Sequence, residues 1–154
     1  MNAPAITTAW TVYPDFGQVE VDPALLNLSA FEVRFEERRP FFQEGVGLFK
    51  CGGPCEGIFY TRRIGRTPQL RGSSLDPSGT SILGAAKLTG RLSNGIALGV
   101  VEAITRREEG VNGTTIEPQT NYFVGRLVKE MRQGRSQIGT MFGAVNRNLD
   151  PNTE

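Results

Sequence analysis

The sequence contains no histidine. Zinc sites with histidine ligands, Ser-His-Asp triads and Cys-His dyads all need an imidazole, so their chemistry is excluded. A hydrolase built from this chain would have to use carboxylates, a serine assisted by lysine, or a cation held by oxygen ligands. No G-x-S-x-G or S-x-x-K phrase marks a nucleophilic serine. The residues therefore point to no standard catalytic type.

Cysteine is also scarce, with Cys51 and Cys55 forming the phrase C-G-G-P-C. The pair could close a disulfide in an oxidising compartment or remain as two thiols in the cytosol. A metal site would need further ligands, and the spacing differs from the C-x-x-C redox motif. We interpret the pair as structural or incidental.

Long apolar runs are missing, and no stretch approaches the roughly 20 apolar residues of a membrane-spanning helix. The N-terminus lacks the basic start, apolar run and cleavage site of a signal peptide, so the chain alone reads as cytoplasmic. The 17 Lys and Arg nearly balance the 16 Asp and Glu, and they are scattered along the sequence. We therefore expect no nucleic-acid partner.

Glycine is abundant, with 19 residues in a chain of 154, well above the roughly 7% of an average protein. This composition favours strands joined by turns, within a single domain. Strand-like runs of about a dozen residues are separated by turn residues. They are 57–66, 81–92, 96–107, 121–132 and 136–147. The sequence predicts a mainly β fold, an antiparallel meander of about five long strands whose hairpins turn at Ser93-Asn94-Gly95 and Gln133-Gly134.

The N-terminal part is less regular. Residues 8–13 are β-prone and end at Pro14, as the end of a strand would. Asn27 or Ser29 could cap a short helix, with Glu32 completing a capping box. The predicted organisation is one incomplete domain over 1–154. It has an irregular or helical segment at 1–56, antiparallel strands at 57–147 and a loose tail at 148–154.

Large and small residues alternate within the strand runs. In the third run, one face carries the larger side chains, which are Ile96, Leu98, Val100 and Ile104, together with Glu102. The other face carries the smaller ones, which are Ala97, Gly99, Val101 and Ala103. Long strands with mixed faces and short turns suit the wall of a membrane β-barrel. A soluble antiparallel sheet or sandwich fits the same periodicity, so both alternatives stay open.

Several longer phrases are more distinctive than the periodicity. In chain order they are YPDFGQVEVDP at 13–23, RRPFF at 38–42, YTRRIGR at 60–66, ILGAAKLTG at 82–90 and TNYFVGR at 120–126. With these phrases the chain resembles an uncharacterised outer-membrane β-barrel domain family, which follows a family-nine carbohydrate-binding-like domain in large envelope proteins. The resemblance runs from about Trp10 to Arg147.

This resemblance implies an outer-membrane location and a structural or transport role. It also implies a longer parent, with a signal peptide and a binding domain upstream and further strands after Asn148. We expect the isolated piece to self-associate, because an unclosed sheet exposes backbone groups at its edges. A carbohydrate-binding module is a further alternative, although its candidate aromatics are dispersed: Trp10, Tyr13, Tyr60 and Tyr122.

Carboxylates cluster in one short segment, where Asp15, Glu20 and Asp22 lie within eight residues and Gln18 adds a neutral oxygen. Oxygen ligands of this kind are the ones that Ca²⁺ prefers, although the EF-hand order is absent. A calcium-dependent hydrolase of esters or lactones, acyl-homoserine lactones among them, is the resulting alternative. The other interpretation is a turn whose acids face solvent.

Overall fold

The computed structural model describes residues 5–14, 34–50, 58–92 and 94–149. Its main feature is a five-stranded antiparallel sheet in the order β1-β2-β3-β6-β7, beside which β4 and β5 form a small second sheet. The strands are β1 (Ala5–Val12), β2 (Ile82–Arg91), β3 (Ile96–Thr105), β4 (Glu108–Glu109), β5 (Thr115–Glu117), β6 (Gln119–Met131) and β7 (Ser136–Asn148). The predicted mainly β, antiparallel fold class is confirmed.

The connections differ at the two ends of the sheet. At one end, here the hairpin end, tight turns join β2 to β3 and β6 to β7. Gly95 has a φ of 75°, and Arg132, Gln133 and Gly134 have φ values of 52°, 58° and 84°, as tight hairpin turns require. At the other end, here the insert end, β3 reaches β6 through the small β4–β5 sheet. Long connections are thus confined to the insert end.

The strand register divides the side chains between two faces. Val101 lies opposite Lys87 and Val124, and these residues mark what we call the inner face. Val100 lies opposite Leu88 and Gly125, which mark the outer face. Successive side chains of a strand alternate between faces, so the large side chains of β3 belong to the outer face and its small ones to the inner face.

The central part of the inner face, on β2, β3 and β6, is covered by residues 34–50 and 58–80, which we call the covering segment. It contains helix α1 (Pro40–Gln43) and 3-10 turns at Val46–Leu48 and Thr61–Arg63. Its aromatic and aliphatic side chains pack on the small residues of the sheet. The buried cluster comprises Phe42, Phe49, Ile64, Ile82, Ala85, Val101, Ala103 and Val124. No helix within the described residues is long and apolar enough to cross a membrane.

Most of the predicted strands are confirmed, with ends shifted by one or two residues. The strand predicted over 57–66 is wrong, because Thr61–Arg63 forms a 3-10 turn there. The guanidinium of Arg39 donates hydrogen bonds to the carbonyls of Thr61 (2.9 Å) and Ile64 (2.6 Å), and these bonds occupy backbone groups that a strand would offer to a neighbour. β1 takes the fifth place in the sheet instead.

Three other predictions fall on residues outside the described part of the chain. These are the helix capped at Asn27 or Ser29, the chemical state of Cys51 and Cys55, and the part of the loose tail predicted at 148–154 that follows residue 149. All three stay predictions. The first residue of the predicted tail, Asn148, instead ends β7.

Candidate functional site: the two faces of the sheet

The outer face is apolar, and several of its large side chains are exposed to solvent. Trp10 is 78% exposed, Ile138 64%, Phe142 62% and Ile6 57%. Glu102 and Lys129 are the only charged residues that the register places among the paired residues of this face. Large contiguous apolar patches are rare on soluble monomers and mark contact with a membrane or a protein. The outer face is therefore a candidate functional surface.

The charged and amide side chains of the outer face lie toward the ends of the strands, while the hydroxyl groups of Thr8 and Thr140 lie nearer its middle. At the insert end Asn121 donates a 3.1 Å hydrogen bond to Glu102, and Asn146 lies opposite Asn121. At the hairpin end Lys129 donates to the carbonyl of Asn94. The six residue steps from Ile96, which pairs with Lys129, to Glu102 span about 20 Å along β3. At a strand tilt of about 40° the band between these charged rows is about 15 Å tall, shorter than the roughly 25 Å band of membrane barrels.

The sole tryptophan lies near one border of this band. Trp10 pairs with Ala86, and Tyr13 follows at the insert end of β1 with 68% exposure. Tryptophan and tyrosine are enriched where a membrane meets water, because one part of each side chain is apolar and another is polar. Their position here matches the border between the apolar rows and the polar insert end.

On the inner face, Lys87 ties the covering segment to the middle of the sheet. Its side chain is almost completely buried, and Nζ donates 2.6 Å hydrogen bonds to the carbonyls of Phe41 and Glu44. The carboxylate of Glu44 lies 3.6 Å from Nζ, and the Phe41 ring centroid lies 5.0 Å away. Burial lowers the pKa of Lys87, and the charge of Glu44 opposes that shift. A buried ammonium with these partners acts as a structural anchor.

Two further contacts extend the anchorage across β3 and β6. Phe49 packs so closely on Gly99 that a Cβ added there would lie 2.8 Å from the ring Cζ. Arg126, which lies opposite Gly99 on β6, donates a hydrogen bond to the carbonyl of Lys50. Lys87, Gly99 and Arg126 thus hold the covering segment from three neighbouring strands.

Arg39 organises the covering segment internally. Besides its bonds to Thr61 and Ile64, it forms a bidentate pair with Glu37, with Nε to Oε1 at 2.8 Å and Nη2 to Oε2 at 2.7 Å. Its guanidinium also lies 4.4 Å from the Phe42 ring centroid. Burial alone would raise the pKa of Glu37, but the hydrogen bonds from Arg39 and Thr61 and the charge of Arg39 hold it below its ordinary value. The Glu37 carboxylate therefore remains charged at neutral pH.

A buried polar group lies toward the insert end of the inner face. Glu117 is only 2% exposed, and its Oε2 accepts a 2.8 Å bond from the backbone of Gln69. Arg66 approaches its other oxygen at 3.9 Å. Burial raises the pKa of Tyr122, whose hydroxyl lies in the field of Arg66, Glu117 and Arg147. The group joins the covering segment to β5 and β6.

An open groove of ≈ 740 Å³ lies beside the insert end, lined in part by Arg106, Arg107, Glu108 and Glu109. Glu108 accepts a 2.8 Å bond from the backbone of Ser81, so its carboxylate has a structural partner. The charges of both signs in the lining leave no net field to attract an ion. We assign no chemistry to this groove.

A model of a known protein family matches most of the chain. The model described as "Domain of unknown function (DUF5916)" matches residues 3–150. The chain belongs to the DUF5916 family. No curated protein and no solved structure matches it. The predicted membership of an uncharacterised family is thereby confirmed, while the barrel context and the neighbouring carbohydrate-binding domain remain predictions.

The predicted calcium ligands of this DUF5916 chain, Asp15, Glu20 and Asp22, lie outside the described residues. Within the described residues no group of three or more Cys, Asp or Glu side chains could hold a metal ion. The calcium site and the lactone hydrolase that depends on it therefore stay predictions. Of the candidate sugar-binding aromatics, Trp10 lies on the outer face and Tyr122 on the inner face. Tyr60 uses its hydroxyl to bind the backbone of Phe35.

The anchoring residues were not identified from the sequence of this DUF5916 member. One feature of the sequence does indicate an unusual environment for Lys87: it is the only charged residue between Ile82 and Gly90. A lone lysine within a long strand indicates either an edge or a buried partner. Nothing in the local sequence distinguishes Gly99 as the glycine whose missing side chain leaves space for the Phe49 ring.

Proposed function

We propose that this chain forms part of the wall of a membrane-spanning β-barrel, with its outer face toward lipid and its inner face toward the lumen. Its role is then structural or transport-related, and its location is the outer membrane, where barrels of this kind occur. The observation that carries the proposal is the exposure of the apolar face. The opposite face carries small side chains and the buried Lys87, and the covering segment packs on it.

The competing soluble sandwich is less consistent with this arrangement. A sandwich buries the large apolar side chains of a sheet against a second sheet about 10 Å away. Here the covering segment packs on the inner face, and outer-face residues such as Ile138 and Phe142 remain more than half exposed. Lipid would bury them without a second protein layer.

The edges of the sheet support the same proposal. β1 and β7 are its outermost strands, and neither contains proline. β1 has no charged residue, and β7 has none before Arg147. Soluble proteins protect long edge strands with charges, prolines or bulges, whereas a closed barrel pairs them. Unprotected edges of this length favour pairing with further strands.

Trp10 offers a direct test, because it is the only tryptophan in the chain. The protein is mixed with phospholipid vesicles whose acyl chains carry bromine at graded depths, and tryptophan fluorescence is measured. We expect a blue shift and quenching that identifies a depth near the membrane border. The matched control replaces Trp10 by Phe and introduces a reporter on the inner face with Tyr122→Trp, which acyl-chain bromine should not quench. Equal quenching of both reporters, or of neither, contradicts the proposal.

A further inference from the structure

We infer that the covering segment is a lumen plug which determines the largest solute that can pass. This inference rests on the proposed barrel function. If the outer face contacts lipid, the opposite face lines the lumen, and residues 34–50 and 58–66 then lie inside it. Phe42, Phe49 and Ile64 of this segment are buried against the sheet.

The plug reaches deep into the proposed lumen. β1 ends and β2 begins at the insert end, so the chain leaves the sheet and returns to it on that side. Lys87 anchors the segment at the middle row of the inner face, and Gly99 and Arg126 anchor it one row closer to the hairpin end. A loop attached at one rim and held beyond the middle narrows the passage over most of its height.

The covering segment leaves part of the inner face open. On β7, Gly139 and Gly143 are exposed, and a Cβ at Gly143 would have no neighbour closer than 4.0 Å. On β1, Thr7 is exposed on the same face. This remaining strip carries hydroxyl groups, bare backbone and the exposed Val145, without charge along most of its length. The solutes that fit are therefore small and neutral.

Vesicle swelling measures the size limit. The full chain is reconstituted in phospholipid vesicles as a closed oligomer, since five strands alone cannot enclose a lumen, and swelling rates are recorded in neutral sugars of increasing size. Gly99→Leu should displace Phe49, and Lys87→Met should release the carbonyls of Phe41 and Glu44. We expect each to raise the swelling rate for the larger sugars several-fold. Thr140→Leu, on the outer face of β7 and away from the segment, is the matched control and should leave the rate unchanged.

The outcomes separate the inference from the proposed function. Vesicle flotation reports membrane association independently of any pore. If the wild type does not float with vesicles, the proposed function fails. If wild type and variants float but the size limit is the same for all, or no sugar enters any vesicle, the plug inference alone is overturned. If Gly99→Leu does not fold, the swelling rates of Lys87→Met alone test the plug inference by the same criteria.

Discussion

Phe49 lies directly on the backbone of Gly99, and a Cβ at position 99 would come within 2.8 Å of its ring Cζ and 3.1 Å of Cε1. Phe49 is itself buried and stacks edge-on with Phe59 at a centroid distance of 5.7 Å. The Phe49 ring therefore has little space into which it could move away from Gly99. Glycine is needed at this point of β3 because an aromatic ring from a distant part of the chain occupies the space of a side chain.

Gly99→Ala is expected to destabilise the protein by about 1–3 kcal/mol, the usual cost of forcing extra atoms into a packed core. Urea unfolding monitored by circular dichroism measures the change. Gly125→Ala is the matched control, since its Cβ would meet the Phe123 ring at an ordinary 3.5 Å. Alanine has less freedom than glycine in the unfolded chain, so the control should be neutral or stabilising. Equal losses in both variants would contradict the packing argument.

Lys87→Met should destabilise the protein by about 1–3 kcal/mol, because it removes the donor for the carbonyls of Phe41 and Glu44 while keeping most of the side-chain volume. The free energy of unfolding is again the measurement. Lys50→Met, at an exposed lysine of the same covering segment, controls for the loss of a positive charge. Similar stability of the two variants would mean that the buried ammonium contributes little.

Phe142→Arg tests the proposed contact of the outer face with lipid. Phe142 lies in the middle row, opposite Gly125, and an arginine at the midplane of a bilayer costs a barrel about 2–4 kcal/mol. We expect a large loss of the fraction that floats with vesicles. Gly143→Arg, one residue later and on the inner face, should leave flotation nearly unchanged. Comparable losses for the two variants would indicate that the faces do not differ in their contact with lipid.

Strand positions could be predicted because their signals are local. Gly95 and Gly134 sit where the hairpins need positive φ, and alternation marks the strands on either side. The 3-10 turn at Thr61–Arg63 could not be predicted in this way. It depends on Arg39, more than 20 residues earlier, whose guanidinium binds two of the carbonyls concerned.

Which face of the sheet is buried also could not be predicted from the local sequence. The alternation in β3 separates large from small residues, and burial of apolar area alone would favour covering Leu98 and Val100. The structure covers Ala97, Gly99 and Val101 instead, since Phe42 and Phe49 supply the missing volume from the covering segment. Only the tertiary arrangement reveals that the small residues accommodate these rings.

Asp76 connects the covering segment to the β4–β5 sheet and gives a prediction for pH. Its Oδ2 accepts bonds from the backbone of Gly72 (3.0 Å) and Ser73 (2.8 Å), and its Oδ1 accepts one from Val111 (2.9 Å). The bonds from Val111 and Ser73 are the main reason that the pKa of Asp76 lies below its ordinary value of 3.8. Below that value the unfolded chain binds more protons than the native protein does.

The stabilisation from Asp76 is therefore present above about pH 4 and lost as the pH falls through the lowered pKa of the folded state. We expect the thermal unfolding temperature to drop in this acidic range, with Glu37 contributing to the same trend because its pKa is also lowered. Hydrogen exchange at the Val111 amide isolates the contribution of Asp76, and Asp76→Asn should remove most of the pH dependence of its protection. If that amide loses protection equally in wild type and variant on acidification, Asp76 is not what holds the two parts together.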